Sequence, residues 1–119
     1  MAFQTEVEFT LPKGYLDGDG VLHREGVMRL ATAADEILPL KDPRVQQNPA
    51  YLTIIVLARV VTRLGSLPDV NTKVIEGLFA SDLSYLQALY ESLNGEGGED
   101  ASAALFERSS REFGVMGEA

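Results

Sequence analysis

Cysteine is absent from these 119 residues, and there is a single histidine, His23. Without cysteine there are no disulfides, thiolate metal sites or cysteine nucleophiles, a composition that fits a reducing compartment. One histidine leaves a transition-metal centre short of ligands, because such centres need two or more histidines or cysteines. It also leaves little for a Ser–His–Asp triad. No G-x-S-x-G and no phosphate-cradling glycine loop occurs; the glycines fall in turns and in an acidic stretch near the end. Long apolar runs are missing too. The longest, "AYLTIIVLARVV", is interrupted by Arg59 and is too short to span a bilayer. "MAFQTEVEF" has no basic region followed by an apolar run, so no secretory signal is expected. These absences predict a soluble, cytoplasmic protein with no cofactor and no membrane partner.

Positive charge is scarce. Ten Lys and Arg face eighteen Asp and Glu, for a net charge of -8, and the basic residues are scattered. Nucleic acid would repel such a surface, so it is not an expected partner. Hydrophobic residues make up 45% of the chain, enough for a folded domain rather than a disordered one.

"GYLDGDGVLHREG", residues 14–26, gathers Asp17, Asp19, His23 and Glu25. A calcium loop starting at Asp17 would place Asp19 at its third position. It would then put Val21 at the fifth, Leu22 where glycine belongs and Met28 where glutamate belongs, so the match fails. The Asp-Gly-Asp-Gly run is explained as the tip of a β-hairpin. On a strand, His23 and Glu25 would share a face and pair weakly across solvent. The hairpin's first strand is "FQTEVEFTL", residues 3–11. There Phe3, Thr5, Val7, Phe9 and Leu11 alternate with polar residues, and Pro12 and Gly14 are expected to end it. "VLHREGVMRLA" is the weaker second strand.

Helical signals follow. Thr32 and Asp35 match a capping box, and Pro39 and Pro43 limit that helix to about two turns. Asp35 and Glu36 suit a helix's first turn, where the dipole favours acids. "RVQQ" reads as a loop or turn. "NPAYLTIIVLARVVTRLG" predicts a helix over 49–64, with Asn48 as N-cap, Pro49 at the first position and Gly65 past the end. Its β-branched residues also allow a strand, but length and caps favour helix. Apolar nearly all round, it should be the most buried element or be covered by a second copy, so self-association is expected. Arg59 and Arg63, four apart, would share one face. "TKVIEGLF" is a short helix capped by Asn71. Ser81 caps the last, "DLSYLQALYESL", and Asn94 and Gly95 stop it.

The expected fold is therefore α+β: an N-terminal β-hairpin (3–31) followed by a small bundle of three or four helices (32–94), forming a single globular domain over 1–94. Residues 95–119 carry six acids against two arginines and predict a disordered acidic linker and tail. Within it, Leu105, Phe106, Phe113, Val115 and Met116 are either the apolar residues of a loose end or a segment that folds onto a partner.

Two stretches carry a resemblance. "EFTLPKGYLDGDGVLHREGVMRLATAADEI" and "NPAYLTIIVLARVVTRLGSLPDVNTKVIEGLFASDLSYLQALYESLN" together resemble the phage tail assembly protein family, which occurs in tailed phages and related contractile injection particles. The likeness runs from Glu8 to Asn94 and includes the helix-ending Leu64-Gly65 and the aspartate-bearing final helix from Asp82 to Leu93. These motifs are structural rather than catalytic. The resemblance implies a non-enzymatic tail assembly chaperone that binds the tape-measure protein while the tube polymerises. Its alternative is a structural subunit, a baseplate or tube component retained in the finished particle. Partner contacts are expected from the last helix, through Tyr85, Leu86, Leu89, Tyr90 and Leu93, the alternative being that these five residues close the core. Arg59 and Arg63 would supply rim charges, and Phe106 and Phe113 a second contact.

Overall fold

The computed structural model describes residues 5–95. Their order is β1 (Glu6–Leu16), β2 (Leu22–Arg29), α1 (Ala33–Ile37), a 3-10 turn (Leu38–Lys41), α2 (Pro43–Gln47), α3 (Tyr51–Val60), β3 (Val61–Leu64), α4 (Thr72–Glu76) and α5 (Ala80–Asn94). The fold is α+β, and the hairpin is part of a three-stranded antiparallel sheet in the order β1-β2-β3. Phe3 and residues 96–119, with Phe106 and Phe113, lie outside the described residues.

The strand alternation holds. Phe9 and Leu11 turn into the core while Glu6, Glu8 and Thr10 face solvent. β1 does not stop at Pro12, however, but runs to Leu16 with a register shift between Thr10 and Tyr15. Proline lacks a donor, and an edge strand tolerates that loss. The bulge at Gly14, whose φ is +101°, carries the strand past it.

The central helix is shorter than expected and ends at Val60. Val61–Leu64 pair as β3 with β2, Leu64 opposite Gly26 and Arg63 opposite Val27. The β-branched Val60-Val61-Thr62 run suits a pleated strand, and the free edge of β2 supplies its hydrogen bonds. Gly65 thus follows a strand instead of capping a helix. Its φ is +56°, and its N–H donates to the Glu25 carbonyl at 2.6 Å. At the other end α3 begins at Tyr51. The Asn48 carbonyl accepts from Tyr51 N, and its side chain accepts from Ala50 N, so Asn48 closes the turn before the helix.

α3 remains the heart of the core. Leu52, Val56, Leu57 and Val60 are fully buried and Ile55 is 8% exposed. It packs on α4, while α5 lies along β1. Since α3 is covered within the monomer, its apolar faces give no reason for self-association. The bundle is also less regular than expected: α1, α2 and α4 are five residues each. The capping box at Thr32 and Asp35 and the Asn71 cap on Val74 N form as the spacing predicts. Ser81 does not cap α5; Phe79 precedes the helix, and Ser81 lies inside it. "RVQQ" is the body of α2, started by Asp42 accepting from Arg44 N.

Candidate docking surface

The hairpin tip is organised around the Asp17 carboxylate. Asp17 Oδ1 accepts from Asp19 N at 2.8 Å and Val21 N at 2.9 Å, the hydrogen bonds of an Asx turn. Asp17 Oδ2 lies 2.8 Å from His23 Nε2. His23 Nδ1 accepts from Ser66 N at 3.2 Å, so Nε2 carries the hydrogen and donates to Asp17 Oδ2. The hydrogen bond from His23 is the first cause that holds the Asp17 carboxyl below its ordinary value; the Val21 N–H is the next. His23 is 4% exposed and pairs with Asp17, not with Glu25 across solvent as the strand period suggested. Every polar atom of this pair is engaged in closing the hairpin and tying it to the segment after β3.

A fully buried carboxylate, Asp35, sits at the hairpin's base. Arg29 from β2 grips Asp35 with both terminal nitrogens, at 2.7 and 3.0 Å. Arg59 from α3 adds a bond of 2.9 Å, and Thr32 donates from its backbone and hydroxyl. The Arg29 guanidinium is the main reason the Asp35 carboxyl lies far below the usual carboxylate range. Burial pushes the other way, and the Thr32 N–H and the Arg59 guanidinium add to the lowering. Asp82, in the first turn of α5, is fully buried and accepts from Lys13 N at 3.0 Å and Gly14 N at 2.7 Å. It fastens α5 to the bulge of β1. Sequence spacing marked Asp35 as half of a capping box. Nothing in the sequence pointed to the strand bonds of Asp82, which join residues 69 apart.

The residues expected to meet a partner divide sharply. Leu86 and Tyr90 are buried, at 1% and 0% exposure, and the Tyr90 hydroxyl donates to Glu36 at 2.5 Å. They close the core and are withdrawn from any docking surface of the folded chain. The reason is that α5 turns this stripe inward, toward the sheet and α3. Leu89 and Leu93 are half-buried against the same core. Arg59 belongs to the Asp35 hub. Tyr85 and Arg63 remain. With Glu8, Phe9, Thr10, Glu25 and Gly26 they line an open groove of about 420 Å³. Phe9 and Tyr85 form its aromatic part, edge to face with ring centres 6.4 Å apart. Among the described residues Arg63 forms no ion pair. The groove therefore presents the half-buried Tyr85 ring, backed by the buried Phe9, together with Glu8, Glu25 and Arg63. Such a surface suits contact with a protein segment, with Tyr and Arg as anchors.

No helix among the described residues is long and apolar enough to cross a membrane. Set against known protein families, characterised proteins and solved structures, the chain matches none of them.

Proposed function

We propose that this chain is a non-enzymatic, cytoplasmic assembly protein of phage tails or contractile injection particles, a chaperone that binds the tape-measure protein while the tail tube forms. One observation carries the reading. The buried ionisable side chains His23, Asp35 and Asp82, and the half-buried Asp17, are each engaged in hydrogen bonds that hold elements together, while Tyr85 and Arg63 meet in an open groove. Chemistry needs reactive groups facing a substrate; docking needs anchors facing a partner. The family resemblance from Glu8 to Asn94 names the partner.

The groove also refines the contact. Tyr85 and Arg63 replace the full stripe of Tyr85, Leu86, Leu89, Tyr90 and Leu93 as the first anchors. A helical segment of the tape measure would lay an apolar ridge against Tyr85 and a charged edge against Arg63, Glu8 and Glu25. Co-expression tests this. The full chain should keep the tape-measure protein soluble in a complex that Tyr85→Ala or Arg63→Glu weakens without altering circular dichroism. If the tape measure is equally soluble alone, the chaperone reading fails.

The competing reading is a structural subunit of the finished particle. Exposed leucines at the hairpin tip favour it, because a permanently assembled protein can bury such residues. Mass spectrometry of purified particles against cell lysate separates the two: a chaperone is lost on maturation and a subunit is retained.

A further inference from the structure

Seven large hydrophobic side chains stand exposed among the described residues, and six of them fall into two patches. The first is the hairpin tip, with Leu16, Val21 and Leu22 between 49% and 56% exposed. The second is the end of α1 and the 3-10 turn, with Ile37, Leu38 and Leu40 between 40% and 55% exposed. The first lies at the start of β2, and the second begins eight residues after the strand's other end. Leu22 opens the strand at the tip, and α1 begins four residues after Arg29 closes it. The eight residues of β2, at roughly 3.3 Å each, set about 25 Å between the tip and the strand's far end. The Asp82 clamp on Gly14 and the His23–Ser66 tie fix the hairpin in place, so one chain cannot fold its tip onto its own patch.

The two patches also differ in charge. The tip is acidic: Asp19 stands at its apex with no side-chain bond among the described residues, beside Asp17. The other patch is followed directly by the exposed Lys41, which also has no ion pair among the described residues, while the next residue, Asp42, is paired with Arg44. Like-with-like contact of the tips would oppose acids to acids. Tip against patch would bury leucines on leucines and set Asp19 toward Lys41.

We propose that the hairpin tip of one chain docks on the Ile37–Leu40 patch of a second copy. The contact is heterologous, since the two surfaces differ, and each added copy leaves one tip and one patch free. Association therefore continues beyond a dimer, into rings or short filaments. Three aliphatic side chains per surface form a small interface, well below the area of a stable dimer, so each step is weak and strengthens with concentration. This inference stands apart from the tape-measure reading and does not depend on it.

Sedimentation velocity on the full chain tests it, with a concentration series reaching the high micromolar range. The average mass should climb without levelling at the dimer. Leu22→Lys at the tip and Leu38→Lys at the patch alter exposed residues, so both variants should keep the wild-type circular dichroism. Each should weaken association roughly tenfold or more and remain monomeric. The decisive arm mixes the two variants in equal amounts. The Leu38→Lys chain keeps a sound tip and the Leu22→Lys chain a sound patch, so they should form a 1:1 dimer and nothing larger. The doubly charge-swapped chain, Asp19→Lys with Lys41→Asp, should associate as the wild type does, while either single swap should not. A wild-type chain that stays monomeric throughout overturns the proposal. So does a variant at one patch that still self-associates, because that is the mark of a symmetric contact through the other patch.

Discussion

Arg59 and Arg63 stand four residues apart and end in different electrical surroundings. Arg59 leaves α3 toward a carboxylate with 3% side-chain exposure, where Arg29 and Thr32 also converge. Arg63 sits on β3, beside a groove with Glu8, Glu25 and Tyr85, and forms no ion pair among the described residues. The separation follows from one backbone event, the end of the helix at Val60. Had the helix continued, both arginines would have shared a face. The strand instead moves Arg63 onto the sheet. The comparison separates charge that holds elements together from charge that is free to meet a partner. Its consequences can be tested variant by variant.

The hub should be the most sensitive. Asp35→Ala leaves Arg29 and Arg59 facing each other without a counter-ion, and losing one member of such a buried network costs about 3–5 kcal/mol. Chemical denaturation should show that loss. Tyr90→Ala removes a wholly buried ring and should cost a similar amount, about 3–5 kcal/mol. It therefore tests packing, not docking. Ile55→Ala, in the middle of α3, should cost about 2–5 kcal/mol.

Acid offers a second probe of the hub. Asp35 is held below its unfolded value, so its contribution is complete above the unfolded carboxylate pKa of about 3.9 and is lost as pH falls below it. Melting temperature should drop steeply from about pH 4 downward, and Asp35→Asn should flatten part of that slope. Asp17 and Asp42 are shifted in the same direction but lie nearer solvent, where pairing contributes less.

Gly65→Ala tests the helix-to-strand switch itself. A side chain there is strained at φ +56° and collides with the His23 ring, so a cost of roughly 1–2 kcal/mol or more is expected. Had Gly65 capped a helix of free standing, only the backbone cost would appear. At the small end, Arg63→Ala should change stability by no more than about 0.5 kcal/mol, as for an exposed residue without partners. A large loss there would mean that the groove is structural after all.

Much of this architecture was legible in the sequence because it rests on short-range rules. The alternation of Val7, Phe9 and Leu11, the Asp-Gly-Asp-Gly turn, the Thr32–Asp35 capping box and the Asn71 cap each depend on neighbours within a few residues. The errors came where distant partners decide. β3 exists because the edge of β2 was available to Val61–Leu64. Pro12 lies within β1 because the strand is at an edge and bulges onward through Gly14. The inward turn of Tyr90 and Leu86 reflects α5 lying against β1, which the helical spacing of those residues alone could not orient. For the same reason the spacing along α5 could not place Glu8 and Glu25 beside Tyr85: the groove joins three strands and a helix.

The most direct test of the proposed function is a pull-down of co-expressed tape-measure protein with wild-type, Tyr85→Ala, Arg63→Glu and Asp19→Lys chains, each checked for wild-type melting. The account predicts a soluble complex with the wild type and with Asp19→Lys, and at least a severalfold loss of captured tape measure with Tyr85→Ala and Arg63→Glu. Equal capture by all four chains, or a tape-measure protein that stays soluble without any of them, would contradict it.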